Sequence, residues 1–256
     1  MAPPDAKPDA APPQSAPEWA ATATSLSAFL RGLASIITAP GLVLFTSSLG
    51  FGALARDLGF TLGHAVFIAG SVYALPTQVM LVDQIARGAA LLSIAFAVTL
   101  TAVRLLPMAV SLMPFIREEQ PTRRGWILRI LLSHTIATSV WVESMRRLPK
   151  LPRHLQLPHM AGIGIAMMCA TVSGSAVGYL VAGQVSPLIA AGLLFMNPIY
   201  FLFSLAASAS RQMDWLAIGL GAVLGPVLFK LVPGIDLMLT GLIGGTLAYA
   251  VARGRK

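Results

Sequence analysis

From Met160 to Ser210 the chain runs for 51 residues without a single charged side chain. A helix crosses the hydrocarbon core of a bilayer with about 20 apolar residues. A run of this length therefore holds two crossings, and Gly183, Gln184, Ser186 and Pro187 supply the turn between them. Gly32 to Ala55 is a second charge-free stretch, of 24 residues. Charged residues make up 11% of the chain, against about 25% in a soluble domain. That deficit excludes an ordinary water-soluble core. It predicts an all-α, polytopic membrane bundle of seven or eight transmembrane helices, some of them interrupted.

Apolar runs place the crossings at about 32–54, 62–82, 88–106, 126–145, 160–182, 187–208, 214–231 and 236–252. The fourth is the most polar, carrying Arg129, Ser133, His134, Thr135, Thr138, Ser139 and Glu143. Such a segment cannot face lipid all round, so it lines the bundle interior or lies at the interface. If it crosses, alternate loops carry eleven Lys and Arg on one side and five on the other. The excess marks the cytoplasmic side and puts both termini there. If it does not cross, seven spans remain and the N-terminus moves outside.

The net charge of +8 does not indicate a nucleic-acid partner, because the basic residues sit in short loops between apolar runs rather than on one patch. The N-terminal 24 residues are rich in Pro and Ala and predict an extended, disordered tail ahead of a membrane domain spanning 25–256. The tail lacks the basic start and apolar stretch of a secretory signal. Cys169 lies in an apolar run and is expected to be a small buried hydrophobe. No metal-ligand spacing, nucleotide loop or nucleophile motif is present, so neither an enzyme nor a cofactor is expected.

Two segments interrupt the helical pattern inside the membrane: Tyr73-Ala74-Leu75-Pro76-Thr77-Gln78 and Met196-Asn197-Pro198-Ile199-Tyr200. Proline removes a backbone donor and frees a carbonyl one turn earlier. Paired interruptions in two halves of a transporter point to a binding site near the bilayer midplane. The expectation is a cavity between the second and sixth crossings, lined by Tyr73, Thr77, Gln78, Asn197 and Tyr200. Leu75, Met80, Phe195 and Met196 would form its apolar wall. Freed carbonyls near the two prolines would accept from a substrate ammonium, and the two amides would serve as donor and acceptor. Arg104, one helix length beyond Gly88, offers either a planar fork for a carboxylate or a snorkelling cation. His134 and Glu143 are candidate coupling groups. The blander readings are a satisfied interior histidine and a helix-end pair with Arg146 and Arg147. Asp83 and Arg87 should pair at the interface. Gly221-x-x-x-Gly225 and Gly241-x-x-x-Gly245 allow close helix approach.

These segments, in this order, resemble the AzlC family, the large subunits of branched-chain amino-acid exporters. Gly70-Ser71-Val72-Tyr73-Ala74-Leu75-Pro76-Thr77-Gln78 is similar to the family's Tyr-Ala-Gly-Ala-Ser-Gln segment. Val103-Arg104-Leu105-Leu106 resembles its Asn/Asp-x-Arg-His segment. Ala191-Gly192-Leu193-Leu194-Phe195-Met196-Asn197-Pro198 resembles its Gly-Phe-Met-Leu-Pro stretch. Ala102 and Leu105 stand where the family has an acid or amide and a histidine, and Ser133-His134-Thr135 stands for Thr-Asp-Glu. The resemblance implies a secondary transporter subunit of the cytoplasmic membrane. It would export branched-chain or other hydrophobic amino acids and act with a small AzlD-type membrane subunit, docked on the glycine-rich C-terminal helices. A non-transporting scaffold is the competing reading, and another small organic solute the competing cargo.

Overall fold

The computed structural model describes residues 17–103, 105–116, 123–184, 186–209, 212–232 and 236–253. Among them the ordered secondary structure is helical, with no strand. Twelve α-helices follow in order: α1 (Ser25–Leu33), α2 (Ala39–Asp57), α3 (Leu62–Ser71), α4 (Leu75–Ala86), α5 (Leu91–Val103), α6 (Leu105–Ile116), α7 (Arg123–His134), α8 (Thr138–Arg147), α9 (Arg153–Val181), α10 (Pro187–Ser208), α11 (Gln212–Leu231) and α12 (Asp236–Arg253). The outer surface carries Phe67, Leu91, Leu92, Leu188, Val223 and Phe229, each more than 60% exposed. An apolar coat of this kind is stable only against lipid or a partner chain.

The bundle is organised around α9. Its 29 residues rise about 44 Å at 1.5 Å each. Helices α1, α2 and α3 pack along it. Small residues make the approach close. Gly32 faces Gly162 with backbone against backbone, and a Cβ added at Gly178 would run into the Leu49 carbonyl. No larger side chain fits either position. Moving up the chain from Gly32 to Gly52, the facing residues move from Gly162 to Ser175 and Tyr179, so α1–α2 runs parallel to α9. His159 Nδ1–H donates to the Ala28 carbonyl at 2.9 Å, fastening α1 to α9. At the other end Arg56 Nη1 donates to the carbonyls of Tyr179 (3.1 Å) and Leu180 (3.3 Å), closing the α9 C-terminus.

Several sequence expectations are revised. The first crossing is a bent pair, α1 and α2, joined by a 3-10 turn at Ala34–Ile37 with 54° between the halves. Helix α6 continues past the expected end of the third crossing at 106, because Pro107 falls in its first turn, where no intrahelical donor is needed. The second and fourth crossings are each split, at 72–74 and 135–137. By length and composition two described helices are each long and apolar enough to cross a membrane as single rods, α9 with its 3-10 extension and α11; the bent pairs α1–α2 and α5–α6 qualify only when each pair is taken together, and α3, α10 and α12 contain shorter apolar stretches. Residues 18–21, assigned to the tail, form a 3-10 turn with Ala20 buried. Cys169 is exposed on α9, not buried. The Asp83–Arg87 pair forms at 2.9 Å.

Candidate functional site

The two split crossings meet. Helix α3 ends without a following turn to take up its last carbonyls, and side chains do so instead. Gln78 Nε2 donates to Val72 O at 2.8 Å and to Ala69 O at 3.4 Å. His134 Nε2 donates to Gly70 O at 2.8 Å, which ties the last residue of α7 to the end of α3. A carbonyl can only accept, so Nε2 carries the proton. At the second break Thr135 Oγ1 donates back to Leu132 O, and Thr135 packs on α9 at Gly164.

Each break restarts a helix, and both restarts are bare. The N-cap positions of α4 and α8 are Ala74 and Ala137, extended in backbone and without a side-chain capping bond. Helices α1, α3 and α10 begin on Thr24, Thr61 and Ser186, whose hydroxyls cap in the ordinary way, while α2 and α9, beginning on Thr38 and Pro152, also lack a side-chain cap. Pro76 lies in the first turn of α4. It removes a donor that such a turn could not have used. The remaining first-turn N–H groups, with the partial positive charge of the helix end, favour an anion.

Between these two N-termini lies a cavity of about 580 Å³. Tyr73, Ala74, Leu75, Pro76, Gln78 and Val79 line it from the first break, and Ala137, Thr138 and Ser139 from the second. Leu44 of α2, Leu105 of α6, Thr171 of α9 and Ala191, Leu194, Phe195, Asn197, Pro198 and Phe201 of α10 complete the wall. Among the described residues none of those lining it is charged. Gln78 and Tyr73 are buried, and Gln78 Oε1 and the Tyr73 hydroxyl have no hydrogen-bond partner. Tyr73 lies beside Thr171, whose hydroxyl donates to Met167 O and keeps its oxygen as an acceptor. Buried polar atoms left unpaired in this way are costly unless something else meets them.

The sequence reading and the site overlap in part. Tyr73, Gln78, Asn197, Leu75 and Phe195 line the cavity as expected. Thr77 is buried with its hydroxyl unpartnered but is not a lining residue. Tyr200 turns aside and stacks edge-on with Phe201, their ring centres 5.5 Å apart. Met80 and Met196 are not in the wall either. Arg104 lies outside the described residues.

The second interruption is in the fourth crossing, not the sixth. Helix α10 runs unbroken through Pro198. The carbonyls freed at the first break are not open to a ligand, because Gln78 and His134 occupy them. His134 therefore serves as a clamp between the breaks. Glu143 is 1% exposed and pairs with Arg147 and, at 3.5 Å, with Arg146. Ala137, Thr138 and Ser139 were missed. Their signal was the run Ser133-His134-Thr135 ahead of Thr138-Ser139, polar side chains that compete for the backbone and loosen a helix without Pro or Gly.

Among the described residues the protein is all-helical, and its broken helices enclose a polar-tipped cavity, a form that solute carriers share. The family model described as AzlC protein matches residues 40–185, more than half of the chain, and the chain is a member of the AzlC family. The matched stretch contains both breaks and α9. No curated protein and no solved structure matched.

Proposed function

We propose that this chain is the membrane-embedded subunit of a secondary transporter that exports branched-chain or other hydrophobic amino acids across the cytoplasmic membrane. The observation that carries the reading is the convergence of two helix N-termini without side-chain caps on a cavity whose described lining carries no charge. A zwitterion needs donors for its carboxylate and acceptors for its ammonium. The first-turn N–H groups of α4 and α8 supply the donors. Gln78 Oε1, the Tyr73 hydroxyl and the Asn197 amide supply the acceptors. Leu44, Leu194, Phe195 and Phe201 receive the side chain. One methylene in such a wall is worth about 1–3 kcal/mol, so discrimination among Val, Leu, Ile and Met is loose.

The parallel run of α1–α2 and α9 supports the orientation. Parallel rods require an odd number of traversals between them. The segments 62–86, 91–116 and 123–147 supply three, which favours eight crossings with both termini in the cytoplasm. The partner is a small membrane subunit of the AzlD type, seated on α11 and α12. A scaffold would have no use for unpaired polar atoms within the bundle.

The test is reconstitution. Proteoliposomes holding this chain and its small partner, loaded with labelled leucine, should release it when an ion gradient is imposed. If neither leucine nor any other amino acid moves in either direction, the transport reading fails.

A further inference from the structure

A second cavity, of about 350 Å³, opens at the opposite chemical extreme. It lies where the 3-10 turn at Glu18–Ala21, helix α1, the connection after α8 and the first turns of α9 come together. Arg31, Arg147 and Lys150 line it, with Trp19 and His159. The Arg31 guanidinium stands 4.5 Å over the Trp19 ring. That ring lies 6.0 Å from His159. Glu143 is shared between Arg146 and Arg147, so the cluster keeps an excess of positive charge. His159 is 2% exposed. Its Nδ1–H is committed to Ala28 O, and its Nε2 is buried without a partner.

We propose that this cavity binds the headgroup of an anionic phospholipid that carries hydroxyl donors, of the phosphoglycerol kind. Converging cations take a phosphate diester. The bare Nε2 has the complementary need: with the other nitrogen protonated, it is an acceptor and wants a hydroxyl. A phosphate flanked by hydroxyls meets both, whereas a choline headgroup offers no donor and brings a cation against three others. Trp19 suits the headgroup level, where an amphipathic ring sits with one edge in the polar layer. The basic loop containing Lys150 belongs to the arginine- and lysine-rich side of the bundle, where anionic lipid is met.

Native mass spectrometry of the full chain with phosphatidylglycerol and phosphatidylcholine tests the assignment, with glycerol 3-phosphate as a soluble competitor. One phosphatidylglycerol should be retained per chain in preference to phosphatidylcholine. Arg31→Gln and Lys150→Gln should each weaken retention about fivefold, while Lys150→Arg should keep it. Both glutamines replace exposed side chains, and a monodisperse elution profile checks the fold. Displacement by millimolar glycerol 3-phosphate, without preference between the lipids, would assign the same phosphate chemistry to a soluble ligand. Equal retention of both lipids without competition, or wild-type retention by the double glutamine variant, would overturn the site.

Discussion

Helices α9 and α11 are equally convincing spans by hydropathy, yet they live in different surroundings. In the most apolar window of α9, 44% of the residues are buried, whereas in that of α11 none is. Both are rich in glycine. On α9 the glycines are pressed against other backbones, at Gly162, Gly174 and Gly178. On α11, Gly219, Gly221 and Gly225 meet nothing within 4 Å, and on α12 only Gly244 touches its neighbour, α11. The same residue in the same kind of helix thus does two jobs. In the α9 bundle it permits an internal contact already made. In the α11–α12 hairpin it leaves a face narrow and open, the form expected of a surface that meets another chain.

The largest expected effect breaks the α9 side of this comparison. Gly178→Val sets a side chain into the Leu49 backbone, and the cost exceeds the ~4 kcal/mol that marks exceptional substitutions. Size-exclusion chromatography of a fluorescent fusion should show aggregate in place of a monodisperse peak. Next comes the interior pair. Glu143→Gln leaves partly buried Arg147 without its carboxylate and should cost about 3 kcal/mol, read as a lower unfolding temperature in a thermal-shift assay. His134→Ala should cost about 1–3 kcal/mol by orphaning the Gly70 carbonyl. Leucine release from proteoliposomes should fall with it, because the two breaks lose their tie. The smallest effect sharpens the α11 side. Gly225→Val should change the stability of the isolated chain by no more than about 0.5 kcal/mol, yet reduce co-purification of the small partner subunit. If Gly225→Val unfolds the isolated chain, the hairpin packs internally and the comparison collapses.

Helix existence was legible because it depends on one-dimensional hydropathy, and the charge-free run at 160–210 resolved into α9 and α10 at the turn that Gly183 to Pro187 marked. The breaks were only half legible. Pro76 announced the first, since proline is confined to a first turn or a kink. Pro198 announced a break that does not occur: α10 runs through it, packed beside α2. The true second break, at Thr135 to Ala137, depends on His134 finding a carbonyl 64 positions earlier in the chain. No local pattern encodes that partner. Alanine at an N-cap was equally silent, since its meaning comes from what the opposite helix end does across the cavity.

Gln78 has a consequence for chemical sorting. Its amide is not free to rotate end for end, because the NH2 group is held by Val72 and Ala69 at the end of α3. Its other end, Oε1, is thereby fixed as a buried acceptor without a partner in the wall of the cavity. A deaminated 2-oxo acid keeps the carboxylate and the branched tail of leucine but brings a carbonyl where the amine was, lone pair against lone pair. Leaving one such buried atom unmet costs about 1–3 kcal/mol, so under the proposed function an amino acid should be taken in preference to its own oxidation product.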